Sequence, residues 1–224
     1  MKTLFITTEA VVICVLSFCV LPAEAKLVPI AITAEVTEVS DSGPLKGRIN
    51  VGDLITGVYV YDSSTLDSDP SENRGVYEQY APSAGVTLTV GGFVFMTDPE
   101  NVELNIHIYN DPPVIGGAHE NYGFDSRNNL PLPNGRSVDL ISLSLYNSSS
   151  VLNAISSDEL PTTAPVLDDW GNASVTVRGG GGIRTGGTPF RVTGRLTSAV
   201  LIPEPATLGL LGLGGLALLR KKIA

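Results

Sequence analysis

The feature that most constrains this fold is a series of short runs in which apolar and polar residues alternate with a period of two. In the first run, residues 27–39, one face carries Ile30, Ile32, Ala34 and Val36. Period two combined with β-branched residues predicts a half-buried strand. Six further runs follow at 54–61, 86–97, 102–109, 140–146, 173–178 and 190–202.

No strong amphipathic helix separates these runs, and the best helical candidate, residues 150–155, is short. Parallel strands need long crossover connections, so an antiparallel arrangement is favoured. We therefore expect one all-β domain over residues 26–201, an antiparallel sandwich or jelly roll of seven to nine strands. Gly91-Gly92 predicts a hairpin turn or a bulge. Three long loops are expected at 62–75, 110–134 and 147–172.

The N-terminal 25 residues are typical of a cleaved signal peptide. Lys2 precedes a largely apolar stretch, 10–21, and Ala23-Glu24-Ala25 fits a signal peptidase site. Both cysteines, Cys14 and Cys19, lie inside this segment, so the exported chain would have no disulfide and would depend on a core for its stability. The chain carries a formal net charge of −9, which disfavours binding to nucleic acid and to anionic membrane surfaces.

The C-terminus combines three elements in a fixed order. Pro203-Glu204-Pro205 interrupts the last strand pattern, residues 206–219 carry no charge, and Arg220-Lys221-Lys222 follows. A helix of fourteen residues covers only about 21 Å of a hydrocarbon layer roughly 30 Å thick, so it is a marginal permanent anchor. The basic cluster stays cytoplasmic by the positive-inside rule, which places the domain outside the inner membrane. A plain membrane anchor is the alternative.

These three elements resemble the PEP-CTERM sorting signal, which is found in Gram-negative bacteria that make exopolysaccharide. The resemblance implies handling by an exosortase, a membrane transpeptidase-like enzyme that acts near Pro203-Glu204-Pro205. It also implies that residues 202–224 form a transmembrane sorting segment, which is removed when the domain is released to the cell surface, outer envelope or extracellular matrix.

The domain itself carries two candidate binding sites. Asp62, Asp67 and Asp69 lie in one loop and could supply oxygen ligands to Ca²⁺, although a solvated acidic turn is the alternative. Tyr59 and Tyr61 share one face of a strand. With Trp170 in a long loop, they could stack on sugar rings; the alternative is that both tyrosines belong to the core.

Catalytic motifs are lacking, and we expect no enzyme, no catalytic residue and no firm metal site. His119-Glu120 begins like a zinc-protease motif, but Gly123 stands where the second histidine should be. We therefore expect a structural or adhesive protein of the cell surface or biofilm matrix. Exopolysaccharide would be a partner, together with signal peptidase and an exosortase-like enzyme. A carbohydrate-binding module and a secreted hydrolase with two carboxylates in a cleft are the alternatives.

Overall fold

The computed structural model describes residues 26–111, 119–148, 154–180 and 189–203. Among these residues, ten strands and a single turn of 3₁₀ helix at Leu167–Asp169 are found. The strands are β1 Leu27–Asp41, β2 Leu54–Asp62, β3 Arg74–Gln79, β4 Gly85–Val90, β5 Phe93–Met96, β6 Leu104–Asp111, β7 His119–Ser126, β8 Val138–Asn147, β9 Asn172–Gly179 and β10 Phe190–Leu201.

All ten strands belong to one antiparallel sheet, in the order β3-β6-β7-β8-β9-β10-β1-β2-β4-β5. The all-β antiparallel prediction is therefore confirmed for the described residues. The more specific prediction of a sandwich or jelly roll is not confirmed, because the strands form one continuous hydrogen-bonded sheet. The strand number also exceeds the expected seven to nine.

The sheet curls until its inner face packs on itself. Tyr59 on β2 and Phe124 on β7 lie five places apart in the strand order, yet their ring centroids are 5.0 Å apart. The Tyr59 and Tyr122 hydroxyls are 3.3 Å apart. The alternating apolar residues of the strands fill the space between these two parts of the sheet, as the buried set Ile30, Ile32, Ala34 and Val36 of β1 illustrates.

A side-chain amide joins edge strand β3 to β2 across the curl. Gln79, at the end of edge strand β3, accepts a hydrogen bond from the Asp62 backbone N–H at 3.0 Å through Oε1. Its Nε2 donates to the Asp62 carbonyl oxygen at 3.1 Å. The carboxamide therefore pairs with β2 much as a neighbouring strand would, and it satisfies polar groups that would otherwise be left unpaired.

The predicted hairpin at Gly91-Gly92 is confirmed. Both glycines have positive φ, 57° and 77°, which is the conformation that a two-residue turn between β4 and β5 requires. Strands β3 and β7 were missed, because polar residues occupy inward positions on them. Gln79 and Glu120 are both buried, so these strands lack the apolar alternation that predicts a strand. Most of the predicted helix at 150–155 lies outside the described residues.

Candidate functional site

The tail leaves the fold directly from a central strand. The Ile202 N–H donates to the Pro29 carbonyl oxygen at 2.9 Å, which extends the pairing of β10 with β1 by one residue. Pro203 has no N–H and cannot continue the ladder. Val200, Leu201, Ile202 and Pro203 are all exposed. The candidate sorting segment therefore begins where sheet pairing ends, with no linker between them.

The remaining predicted parts of the two termini lie outside the described residues. These parts are the signal peptide 1–25, Glu204 and Pro205 of the sorting motif, the apolar stretch 206–219 and the basic cluster Arg220-Lys221-Lys222. Within the described residues, no helix is both long and apolar enough to cross a bilayer.

The prediction that Tyr59 and Tyr61 offer their rings to a sugar must be corrected. Both side chains are 0% exposed, because β2 turns this face toward the inside of the curled sheet. Their centroids are 6.1 Å apart with nearly parallel rings, and Tyr59 also packs against Phe124. Burial raises the pKa of both hydroxyls well above the usual value. The core alternative holds for these two residues.

The three carboxylates predicted as possible calcium ligands do not form one group in the structure. Among the described residues, no group of three or more His, Cys, Asp or Glu side chains is arranged to hold a metal. Asp62 Oδ1 accepts from the Ser64 hydroxyl at 2.6 Å, and this bond holds the pKa of Asp62 below its usual value. Asp67 accepts the backbone N–H groups of Asp69 and of Val76 on β3, and Asp69 accepts that of Ser71, at 2.8–2.9 Å. The three carboxylates therefore stabilise turns separately.

A cavity of about 410 Å³ lies under the segment 154–170, which the sequence predicts as part of a long loop. Ile108 and Tyr122, directly opposite each other on β6 and β7, contribute to its lining. Trp170 and residues 154–157 and 159–166 line it together with Asp169. Of the three residues predicted to contact a sugar, only Trp170 lies at this cavity, and its side chain is partly exposed.

Buried tyrosines of the sheet anchor the covering segment. The Tyr61 hydroxyl donates to the Pro161 carbonyl oxygen at 2.7 Å, and the Tyr77 hydroxyl donates to the Asp158 carbonyl oxygen at 2.8 Å. Burial, together with the nearby Asp67 and Asp158 carboxylates, raises the pKa of Tyr77 to about 12. These hydroxyls therefore act as donors to the backbone of the segment at any physiological pH.

A buried carboxylate anchors the start of the same segment. Glu120 on β7 is fully buried and accepts the backbone N–H groups of Ala154 at 3.2 Å and Ile155 at 3.1 Å. Asn147 Nδ2 approaches Glu120 Oε2 and the Asp169 carbonyl oxygen, at 3.4 Å each. These hydrogen bonds compensate the cost of burying the carboxyl oxygens of Glu120.

Sequence reasoning missed Glu120, Asn147, Tyr77 and Tyr122 as residues that build this site. A signal for Glu120 was present: it shares a strand face with Tyr122 and Phe124, so an acidic residue occupies a core position. Such a position predicts a carboxylate with a dedicated set of backbone donors.

The polar side chains on the described cavity lining are acidic or uncharged. Glu159 and Asp169 supply two carboxylates, and Ser156, Ser157, Thr162 and Thr163 supply hydroxyls. No Lys, Arg or His lines the cavity within the part of the chain that the structure describes. The arrangement disfavours an anionic ligand, which would meet two negative charges without a compensating cation. The hydroxyl and carboxylate oxygens of the lining are able to hydrogen-bond a neutral ligand rich in hydroxyl groups.

Comparison with known proteins assigns the C-terminal end of the chain. No curated protein and no solved structure matches the chain. The family model described as the PEP-CTERM protein-sorting motif matches residues 201–222, starting at the last residue of β10. This motif implies processing by an exosortase-like enzyme and export to the cell envelope or surface. The chain therefore carries a PEP-CTERM protein-sorting motif immediately after its all-β domain.

Proposed function

We propose that this protein is a structural or adhesive component of the cell surface or exopolysaccharide matrix, delivered there by its sorting motif. The observation that carries the proposal is the motif at residues 201–222, which begins at the last residue of the final strand. In this proposal, signal peptidase removes residues 1–25 during export. The apolar stretch 206–219 then holds the chain in the membrane until an exosortase-like enzyme cuts near Pro203-Glu204-Pro205.

The geometry of the tail supports processing next to the domain. Ile202 is still hydrogen-bonded to β1, whereas Pro203 is exposed and cannot pair. A processing enzyme needs an extended segment free of the sheet, so cutting is expected beyond Ile202. The released domain would then retain β10 and with it the continuity of the sheet.

The role proposed for the domain is non-catalytic. Glycosidases keep one carboxyl group protonated by placing it in an apolar, water-poor environment. Glu159 and Asp169, the two carboxylates at the cavity, are both exposed to solvent. This setting favours hydrogen bonding to a ligand over acid catalysis. A carbohydrate-binding module is the second candidate, favoured by the position of Trp170 at the cavity.

Intact-mass spectrometry of the protein from the cells that produce it tests the sorting route. We expect an N-terminus near Lys26 and a C-terminus between residues 202 and 206. A Glu204→Ala variant should accumulate with the tail attached, whereas Pro133→Ala, an exposed proline outside the motif, should be processed normally. A mature protein that still ends at Ala224 would favour a plain anchor instead.

The matrix role needs a separate measurement. Deleting the gene should weaken retention of extracellular polysaccharide by the cells, and restoring the unaltered chain should reverse this. Polysaccharide retention that is equal with and without the protein would contradict a structural or adhesive role, even if the tail is processed as expected.

A further inference from the structure

The cavity under residues 154–170 has the size of a small-molecule site. Its volume of about 410 Å³ falls within the range of about 300–1,000 Å³ that is typical of ligand pockets. Apolar contact surface comes from Trp170, Ile155 and Leu160, and the Tyr122 ring lies at the same cavity. The Tyr122 hydroxyl faces that of Tyr59 at 3.3 Å, so it belongs to the core. Trp170 is thus the aromatic side chain best placed to meet a ligand.

The walls of the cavity are held in place from both ends. Glu120 fixes Ala154 and Ile155, and Tyr61 fixes Pro161. Asn147 reaches the Asp169 carbonyl oxygen, next to Trp170. A segment held by buried side chains of the sheet loses little additional entropy when a ligand binds, which favours affinity.

We propose that this cavity binds a neutral saccharide unit. Trp170 stacks against the apolar face of the sugar ring, and the carboxylates of Glu159 and Asp169 accept hydrogen bonds from its hydroxyl groups. The carboxylates and the lack of a cation on the described lining select against uronic acids and phosphorylated sugars. A saccharide site of this kind would supply the ligand class for the adhesive role proposed above. It depends on that role only for the biological source of the saccharide.

Trp170 is the only tryptophan of the chain, so its fluorescence reports on this cavity alone. The experiment titrates the full chain with cellotetraose, maltotetraose and the tetrasaccharide of N-acetylglucosamine, and separately with tetragalacturonate. A zwitterionic detergent keeps the tail soluble, because detergents with sugar headgroups would compete. A saturable change in fluorescence with at least one neutral tetrasaccharide, and none with tetragalacturonate, is expected.

Calorimetry on variants then separates binding at the cavity from binding elsewhere. Trp170→Ala and Asp169→Asn should each weaken association about tenfold, which corresponds to about 1.4 kcal/mol. Trp170→Phe should retain most of the affinity, since it keeps an aromatic face. The matched control is Tyr146→Ala, which removes an exposed aromatic ring on β8 and should leave affinity unchanged.

Three results would overturn the proposal. The first is the absence of saturable binding to every neutral tetrasaccharide while circular dichroism shows a folded chain. The second is binding that persists undiminished in Trp170→Ala, and the third is a preference for tetragalacturonate. None of these results would affect tail processing or polysaccharide retention, so failure of this inference is distinguishable from failure of the proposed function.

Discussion

The Tyr61 hydroxyl donates a hydrogen bond of 2.7 Å to the carbonyl oxygen of Pro161, which lies 100 residues further along the chain. This contact joins the core of the curled sheet to the segment that covers the cavity. It also changes the role of Tyr61 from a predicted sugar-stacking residue to a positioning residue, because the ring is buried and only its hydroxyl reaches the site.

Replacing Tyr61 by phenylalanine tests this contact. Tyr61→Phe keeps the ring but removes the donor to Pro161, so the free energy of unfolding should fall by about 1–3 kcal/mol. Urea denaturation measures the change. Tyr80→Phe is the matched control: Tyr80 is exposed and bonds only to Glu78 at 2.9 Å among the contacts described, so its effect should stay within about 0.5 kcal/mol. Equal effects of the two variants would contradict the anchoring role.

Glu120→Gln tests the second anchor. Glutamine offers one carbonyl oxygen where the carboxylate offers two, so the Ala154 and Ile155 N–H groups cannot both keep an acceptor. Stability should fall by about 1–3 kcal/mol, and the amides of Ala154 and Ile155 should exchange with solvent faster. Hydrogen exchange read by mass spectrometry or NMR checks this. Glu100→Gln, in an exposed turn, should leave these amides unchanged.

The hydrogen bonds that Asp62 accepts predict that the stability of the fold decreases in acid. The Ser64 hydroxyl and the backbone N–H groups of Ser64 and Lys26 lower the pKa of Asp62 in the folded state. Its contribution to stability is therefore present above the unfolded pKa near 3.8 and is lost as the pH falls through the lower folded value.

Chemical denaturation at several pH values checks the Asp62 prediction. Asp62→Asn should be less stable than the unaltered chain at neutral pH, and this difference should shrink toward zero in acid. Asp139→Asn, an exposed carboxylate on β8, serves as the control and should show little effect throughout. A difference that is independent of pH would mean that the charge of Asp62 does not matter.

The raised pKa values of the buried tyrosines predict that the folded protein loses stability in alkali. Burial raises the pKa of Tyr77 to about 12, and burial raises the pKa values of Tyr59 and Tyr122 as well. Because these groups ionise more readily in the unfolded chain, the stability they confer is complete below about pH 10 and declines above it. Tyrosinate absorbance recorded together with circular dichroism should show late ionisation that coincides with unfolding. Full ionisation of all tyrosines in a folded chain would contradict the burial.

Incubation with oligosaccharides tests the non-catalytic role. We expect no release of new reducing ends from the neutral tetrasaccharides beyond that from the Glu159→Gln, Asp169→Asn double variant. Release that this double variant abolishes would instead establish the hydrolase alternative, with Glu159 and Asp169 as its carboxylate pair.

The runs of alternating residues predicted most of the strands, because a strand with one buried face has an apolar residue at every second position. The pattern failed on β3 and β7, where the inward positions include Gln79 and Glu120. These polar residues are tolerated inside because groups distant in the sequence hydrogen-bond to them. Gln79 bonds to the Asp62 backbone. Glu120 accepts the backbone N–H groups of Ala154 and Ile155. No local pattern encodes such partners.

The sequence alone determined the all-β class, the turn at Gly91-Gly92 and the sorting motif, since each depends on residue types at short spacing. Only the tertiary structure decided which face of β2 is buried. Tyr59 and Tyr61 alternate with Val58 and Val60, and either face is apolar enough to pack. The cavity was likewise decided by folding, because Pro161 and Asp169 on its lining are held by Tyr61 and Asn147, which lie 100 and 22 residues away in the chain.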